Sequence, residues 1–247
     1  KKCMSDTTFR FRQFTVHQEK CAMKVGTDAV LLGSWVQTLD AIRILDIGTG
    51  TGLIALMLAQ KSDAVIDAMD VDEGAFLQAK ENFRISPWFN RLHIYHQSFQ
   101  DYVSEKRGKY DLIVSNPPYF QHASKPSHES RINARHNDLL SFSELINGVK
   151  ELLSINGRFC VILPYKEGME FMDQAHMQGL FCHHIVRVKT KASKPEKRLM
   201  LEFGFRFGLL TEEELIIQEE DNSFTDDYVH LTSEYYMNLK SAPSSAP

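Results

Sequence analysis

Two stretches have residue types and spacing suited to chemistry: Asp46-Ile-Gly48-Thr49-Gly50-Thr-Gly52, and Asn116-Pro117-Pro118-Tyr119 directly after the apolar run Asp111-Leu-Ile-Val114. The second suits the gripping of a planar amine. A neutral Asn carbonyl oxygen accepts one N–H. The prolines fix φ and remove backbone donors, so the Pro117 carbonyl is aimed rigidly as a second acceptor. Tyr119 can stack on the ring that carries the amine. An exocyclic or amide nitrogen is a poor nucleophile because its lone pair is delocalised. Two fixed acceptors on its N–H groups favour the pyramidal, electron-rich geometry needed for in-line attack, which is transition-state stabilisation by preset dipoles. Asn116, Pro117 and Tyr119 are therefore the expected catalytic residues.

The glycine loop supplies the other half. It falls at the carboxyl end of a predicted strand, where open α/β sheets bind ligands. Its glycines let the backbone approach an adenosine closely and turn into a helix. A dinucleotide fingerprint would want Gly or Ala at position 53 beside a pyrophosphate, and the residue there is Leu53. Asp46 would repel a pyrophosphate but suits the cationic amino group of S-adenosylmethionine. Methyl transfer from S-adenosylmethionine to a conjugated nitrogen is thus the expected reaction, with Asp46, Gly48, Thr49, Gly50, Gly52 and Asn116 at the cofactor. Asp70, followed by Val71, lies about 20 residues beyond the loop, the distance at which a carboxylate meets ribose hydroxyls. Asp72 reads either as a contact or as the cap of the next helix. Ser98 and Phe99 offer a hydroxyl and a ring to the adenine, and Phe99 reads equally well as core. No metal site is expected.

The elements that must position these residues follow from alternating apolar runs and amphipathic stretches beginning at Ile42, the pattern of β-α-β units on a parallel sheet. Strands are expected at 42–47, 64–69, 92–95, 110–114 and 158–163. Two more, 184–188 and 198–207, have no helix between them and read as an antiparallel hairpin at a sheet edge. Helices are expected at 53–60, 73–84, 139–152 and 166–177, the third closed by a glycine turn at Ser154–Gly157. The fold class is therefore α/β: a Rossmann-like methyltransferase fold with seven mostly parallel strands and helices on both faces. Residues 1–40 form an N-terminal extension whose run Phe9-Arg-Phe11-Arg-Gln-Phe14 suits a short strand or hairpin. Residues 41–240 are the catalytic domain, and 241–247 a low-complexity, disordered tail. Residues 120–138 lack periodicity, as a lid or binding loop would.

These motifs resemble the amino-methyltransferase branch that carries (Asn/Asp/Ser)-Pro-Pro-(Tyr/Phe). More narrowly, the chain is similar to the bacterial N6-adenine methyltransferases acting on position 37 of a valine tRNA. The narrower likeness rests on the leader Phe14-Thr-Val16-His-Gln18-Glu-Lys-Cys-Ala-Met-Lys24-Val-Gly-Thr27-Asp28, on both motifs above, and on Ala134-Arg135-His136, and it spans about residues 8–240. The resemblance implies that the leader folds over the cofactor, with Lys24, Thr27 and Asp28 near its methionine end. From the residues alone, Thr27-Asp28 reads equally as the cap of a helix over 29–36. Glutamine N5-methyltransferases of release factors share Asn-Pro-Pro-Tyr but usually carry a helical N-terminal domain longer than residues 1–40. Adenine methylation of rRNA or DNA, and a non-catalytic cofactor-binding RNA module, are the other readings.

A net charge of −4 argues against a uniformly basic coat. Local basic patches remain. Arg187, Lys189, Lys191, Lys194, Lys197 and Arg198 cluster against one acid, Glu196, and read either as a phosphate-binding rim or as a solvated loop. Lys125, Arg131, Arg135 and His136 populate the long loop, with Phe120 as a stacking or wall residue. Arg135 reads as a phosphate contact or as a salt-bridge partner of Asp138 or Glu129. The run 212–227, with eight carboxylates and no base, is expected to face away from any phosphate. Four scattered cysteines without C-x-x-C spacing suit reduced thiols. No apolar signal core or membrane-length run is present. A cytoplasmic enzyme acting on tRNA, without membrane or obligate protein partner, is expected.

Overall fold

The computed structural model describes residues 7–21, 24–105, 108–117, 140–237 and 239. Buried, near-continuous apolar runs are what parallel strands covered on both faces require, and such runs build the sheet here. A small antiparallel hairpin comes first, β1 (Thr8–Arg10) with β2 (Thr15–His17), pairing Phe9 with Val16. Then follow α1 (Thr27–Trp35), β3 (Arg43–Ile47), α2 (Leu53–Lys61), β4 (Val65–Asp70), α3 (Glu73–Ile85), β5 (Leu92–His96), α4 (Phe99–Ser104) and β6 (Tyr110–Ser115). The second half comprises α5 (Phe142–Leu152), β7 (Leu153–Pro164), α6 (Tyr165–Met177), β8 (Phe181–Lys189), β9 (Glu196–Gly204), β10 (Thr211–Ile216) and α7 (Asp226–Thr232).

The main sheet has the order β10-β8-β9-β7-β6-β3-β4-β5. All seven expected strands form, and β8 and β9 make the expected antiparallel hairpin at the β7 side. An eighth strand, β10, adds in parallel to β8. It was hidden because Thr211-Glu-Glu-Glu-Leu-Ile216 reads as a solvated acidic run. The glycine turn expected at Ser154–Gly157 is instead a bulge inside β7: Tyr110 pairs with Leu153 while Leu112 pairs with Arg158. α5 stops without it, and starts with a capping box in which Ser141 and Glu144 satisfy each other's backbone N–H.

Alternate strand residues serve the two faces. Ile44 joins a core with Leu31, Leu56 and Phe83, so α1, α2 and α3 cover one face. Leu45 joins a core with Phe99, Val149 and Phe171, so α4, α5 and α6 cover the other. Among the described residues no helix is long and apolar enough to cross a membrane.

Candidate functional site

Strand order reverses between β3 and β6, which leave the sheet side by side. Ile47 pairs with Ser115, and the Ser115 hydroxyl donates to the Ile47 carbonyl at 3.0 Å. The next residues, Gly48 and Asn116, therefore start their two loops from adjacent points on the carboxyl edge. This is the crevice in which such sheets bind ligands.

On the β3–β4 side the glycine loop is shaped by two carboxylates. Asp46 is fully buried; its Oδ2 accepts from the Thr49 hydroxyl at 2.6 Å and from the Ala55 N–H at 3.2 Å. Its Oδ1 is buried without a hydrogen-bond partner among the described residues. Burial, with the Asp70 charge adding, pushes the Asp46 carboxyl up to about 7. Thr49 is thus turned inward as a buttress. Asp70 Oδ2 accepts from the Gly50 N–H at 2.9 Å and Oδ1 from the Asp72 N–H at 3.0 Å; burial raises its pKa too. Gly48 has φ +68, and a Cβ there would meet nothing within 4 Å, so its face is open to a ligand. Gly52 has φ +82, and a Cβ would sit 2.5 Å from the Phe83 ring; this glycine exists to seat α2 against α3. The orphaned Asp46 oxygen and the open Gly48 face fit a nucleoside carrying an ammonium group, as S-adenosylmethionine does. Val71 is exposed beside Asp70.

Two expected adenine contacts are employed elsewhere. The Ser98 side chain caps α4, accepting from the Asp101 N–H. The Phe99 ring goes into the core, packed where a Cβ on Gly148 would collide with it. Asp72 is a cap, accepting from the Ala75 N–H.

The leader is strapped to α3 by residues that apolar periodicity does not reveal. Asn82, fully buried, accepts from the His17 N–H and donates to the carbonyls of His17 and Thr51, each at 2.8 Å. Gln78 Oε1 accepts from the Lys20 N–H at 2.9 Å. Gly74 leaves no room for a side chain under the Lys20 carbonyl. Asn82 thereby joins the leader to the glycine loop. Two buried amides four residues apart on one helix face were the available signal.

On the β6 side lies a cavity of about 800 Å³. Half-buried Asn116 and buried Pro117 line it, together with Lys24, Thr27, Asp28, Lys197 and Arg198. Thr27-Asp28 is not the cap of α1; Gly26 takes that place, without a side-chain bond. Asp28 instead holds the Arg198 guanidinium at 2.8 Å, which joins α1 to the start of β9.

The acidic run does not face away from the basic strip but pairs with it. Arg187 meets Glu212 at 2.8 Å, His184 meets Glu213 at 3.2 Å and Lys189 meets Glu214 at 2.6 Å. The Lys191 ammonium donates to the Glu220 carbonyl at 2.8 Å, and the Lys194 N–H closes a turn on Lys191. Lys197 is the member of the expected rim that reaches the cavity beside Arg198. Tyr119, Phe120, Lys125, Arg131, Arg135 and His136 lie outside the described residues.

Comparison with known proteins sharpens this geometry. Residues 21–192 match the family model described as the methyltransferase small domain. The chain is 46% identical over 237 residues to the tRNA1(Val) (adenine(37)-N6)-methyltransferase of Bacteroides fragilis, covering 96% of this chain and 100% of that one. It belongs to this family. A second member, from Trichodesmium erythraeum, is 43% identical over 95% of this chain and 99% of its own. The fold is shared with the solved structure of a predicted O-methyltransferase from Agrobacterium tumefaciens (TM-score 0.66, 17% identity, 87% of this chain and 99% of that one). The methyltransferase small domain match takes in both halves of the crevice, from Cys21 to Lys191-Ala192. The cavity wall from Lys197 onward lies beyond that match.

Proposed function

We propose that this chain transfers a methyl group from S-adenosylmethionine to the exocyclic N6 amine of adenine 37 in the anticodon loop of a valine tRNA. The observation that carries this reading is the emergence of Gly48 and Asn116 side by side after the paired Ile47 and Ser115, in a chain 46% identical to a tRNA1(Val) (adenine(37)-N6)-methyltransferase.

When bound, S-adenosylmethionine supplies an electrophilic methyl carbon on a sulfonium. The open Gly48 face and the Asp70 carboxylate would hold its nucleoside, and Asp46 its ammonium end, directly or through water. The Asn116 side-chain oxygen and the Pro117 carbonyl accept the two N–H groups of the acceptor amine and draw it out of conjugation with its ring. No base has to act first, because the amine becomes cationic as the new bond forms and then loses its proton. The adenine must leave its stack to enter the cavity, and Tyr119 or Phe120 would replace the stacking lost. Lys24, Thr27 and Asp28 would lie at the cofactor's methionine end, and Lys197, with Lys125, Arg131, Arg135 and His136 of the long loop, would meet phosphates. Such an enzyme acts in the cytoplasm, where its substrate is.

The test is methylation of total tRNA from a strain lacking the gene, followed by position-resolved nucleoside mass spectrometry. The reading expects N6-methyladenosine at position 37 of one valine tRNA. Modification of another nucleotide, or of a release-factor glutamine with none in tRNA, would overturn it.

A further inference from the structure

The cavity beside Asn116 is larger and more aromatic than one flat base requires. Its volume of about 800 Å³ lies high in the range that houses ligands of several rings. It runs from Asn116 at the end of β6 to Val188 and Thr190 at the end of β8. In the sheet order these strands are separated by β7 and β9. Three strand spacings make roughly 14 Å.

The far wall is built from the last part of the chain. Beyond β10, the N–H groups of Ile217 and Gln218 donate to the carbonyls of Lys189 and Thr190, and Gln218 pairs across a turn with Phe224. Phe224 is half-buried and lines the cavity, its ring stacked on buried Tyr228 with centroids 5.0 Å apart. Phe9 and Tyr236, in edge contact at 6.1 Å, line it as well. Cationic groups stand on the same wall, at Lys24 and Lys197. Aromatic rings beside cations, joined to an amine-binding end, are what a short length of single-stranded RNA requires.

We infer that the cavity seats two consecutive nucleotides: the reacting adenine at Asn116 and Pro117, and the base next to it in the chain against Phe224. Lys197 meets the phosphate between them. Phe224 is then a specificity-determining residue, reading the neighbour by stacking rather than by hydrogen bonds. This rests on the proposed RNA adenine reaction and extends it from one base to two.

The experiment uses three anticodon stem-loop oligoribonucleotides: one intact, one abasic at the nucleotide 5′ of the target adenine, and one abasic at the 3′ nucleotide. The wild-type enzyme should methylate one of the abasic forms about tenfold less efficiently in kcat/KM than the intact form, the size of effect that losing one base–aromatic stack produces. Phe224→Ala should methylate the intact form at that lowered efficiency and lose nothing further on the abasic one, with its melting temperature recorded as a control on folding. The wild-type comparison needs no variant, so it stands even if Phe224→Ala folds poorly. Equal methylation of all three by wild type would overturn the inference, as would a Phe224→Ala enzyme that folds and keeps the full preference. If the wild-type enzyme methylates neither the intact stem-loop nor whole tRNA, the proposed reaction itself fails, and the two-nucleotide reading with it.

Discussion

The two halves of the crevice are built by opposite means. The cofactor half is a local device: Asp46 to Gly52 is one continuous turn, held by Asp46 and Asp70 through bonds of 2.6–3.2 Å. The acceptor half is assembled from afar. Its cavity draws on Phe9, Lys24, Asn116, Val188, Arg198 and Phe224, and the Asp28–Arg198 ion pair spans 170 residues of sequence. The difference teaches how two sides of one crevice can be specified separately. One side is shaped by a compact loop, and the other by segments far apart in the sequence.

The largest expected effect outside the reacting groups is at Asn82, which couples the leader to the glycine loop. Asn82→Ala leaves buried backbone groups of His17 and Thr51 unpaired, each costing about 1–3 kcal/mol. A lowered melting temperature and weakened S-adenosylmethionine binding are expected, with RNA affinity less affected. If filter binding showed RNA affinity falling more than cofactor affinity, the strap would belong to the other half.

Next comes pH. The folded-state pKa of Asp46 is raised from 3.8 to about 7, so the protonated carboxyl is favoured in the native protein. Its contribution to stability is fully present below about 3.8 and is lost as pH rises to about 7. Asp46→Asn lacks this slope. The melting temperature of the variant minus that of the parent should therefore climb across this window and level off above it. A flat difference would mean that Asp46 is ionised throughout.

The smallest effects separate two lysines in one basic strip. Lys189 is engaged by Glu214, whereas Lys197 lines the cavity. Lys197→Ala should raise the Michaelis constant for tRNA severalfold and flatten its salt dependence by about one phosphate contact. Lys189→Ala should change both it and the melting temperature little, as for other exposed ion pairs. Equal losses from both would restore a continuous phosphate rim.

The glycine-loop side of the crevice was legible in the sequence because its turn is made of consecutive residues. The Asp72 cap, the glycine loop and the late hairpin could each be read from spacing alone. The acceptor half was readable at Asn116 and Pro117 and little further. Ser98 caps α4 and Phe99 packs in the core, and position after a strand does not tell a cap or a core ring from a ligand contact. Strand β10 escaped because three consecutive glutamates carry no apolar alternation. They sit on an edge, where Arg187, His184 and Lys189 of β8 meet them. Opposite charge in the two segments was the clue, and only tertiary pairing gives it meaning.

The separability of the two halves is tested most directly by calorimetric titration of S-adenosylmethionine into Asn116→Ala, with single-turnover methylation of tRNA measured on the same preparation. Asn116 lines the acceptor cavity, and the glycine loop keeps its own bonds without it. Cofactor affinity should therefore stay within a fewfold of the parent, while methyl transfer falls by roughly 10²–10³, the cost of removing one preset dipole from a transition state. A collapse of cofactor binding with normal turnover per bound cofactor would place Asn116 in the donor half and contradict the account.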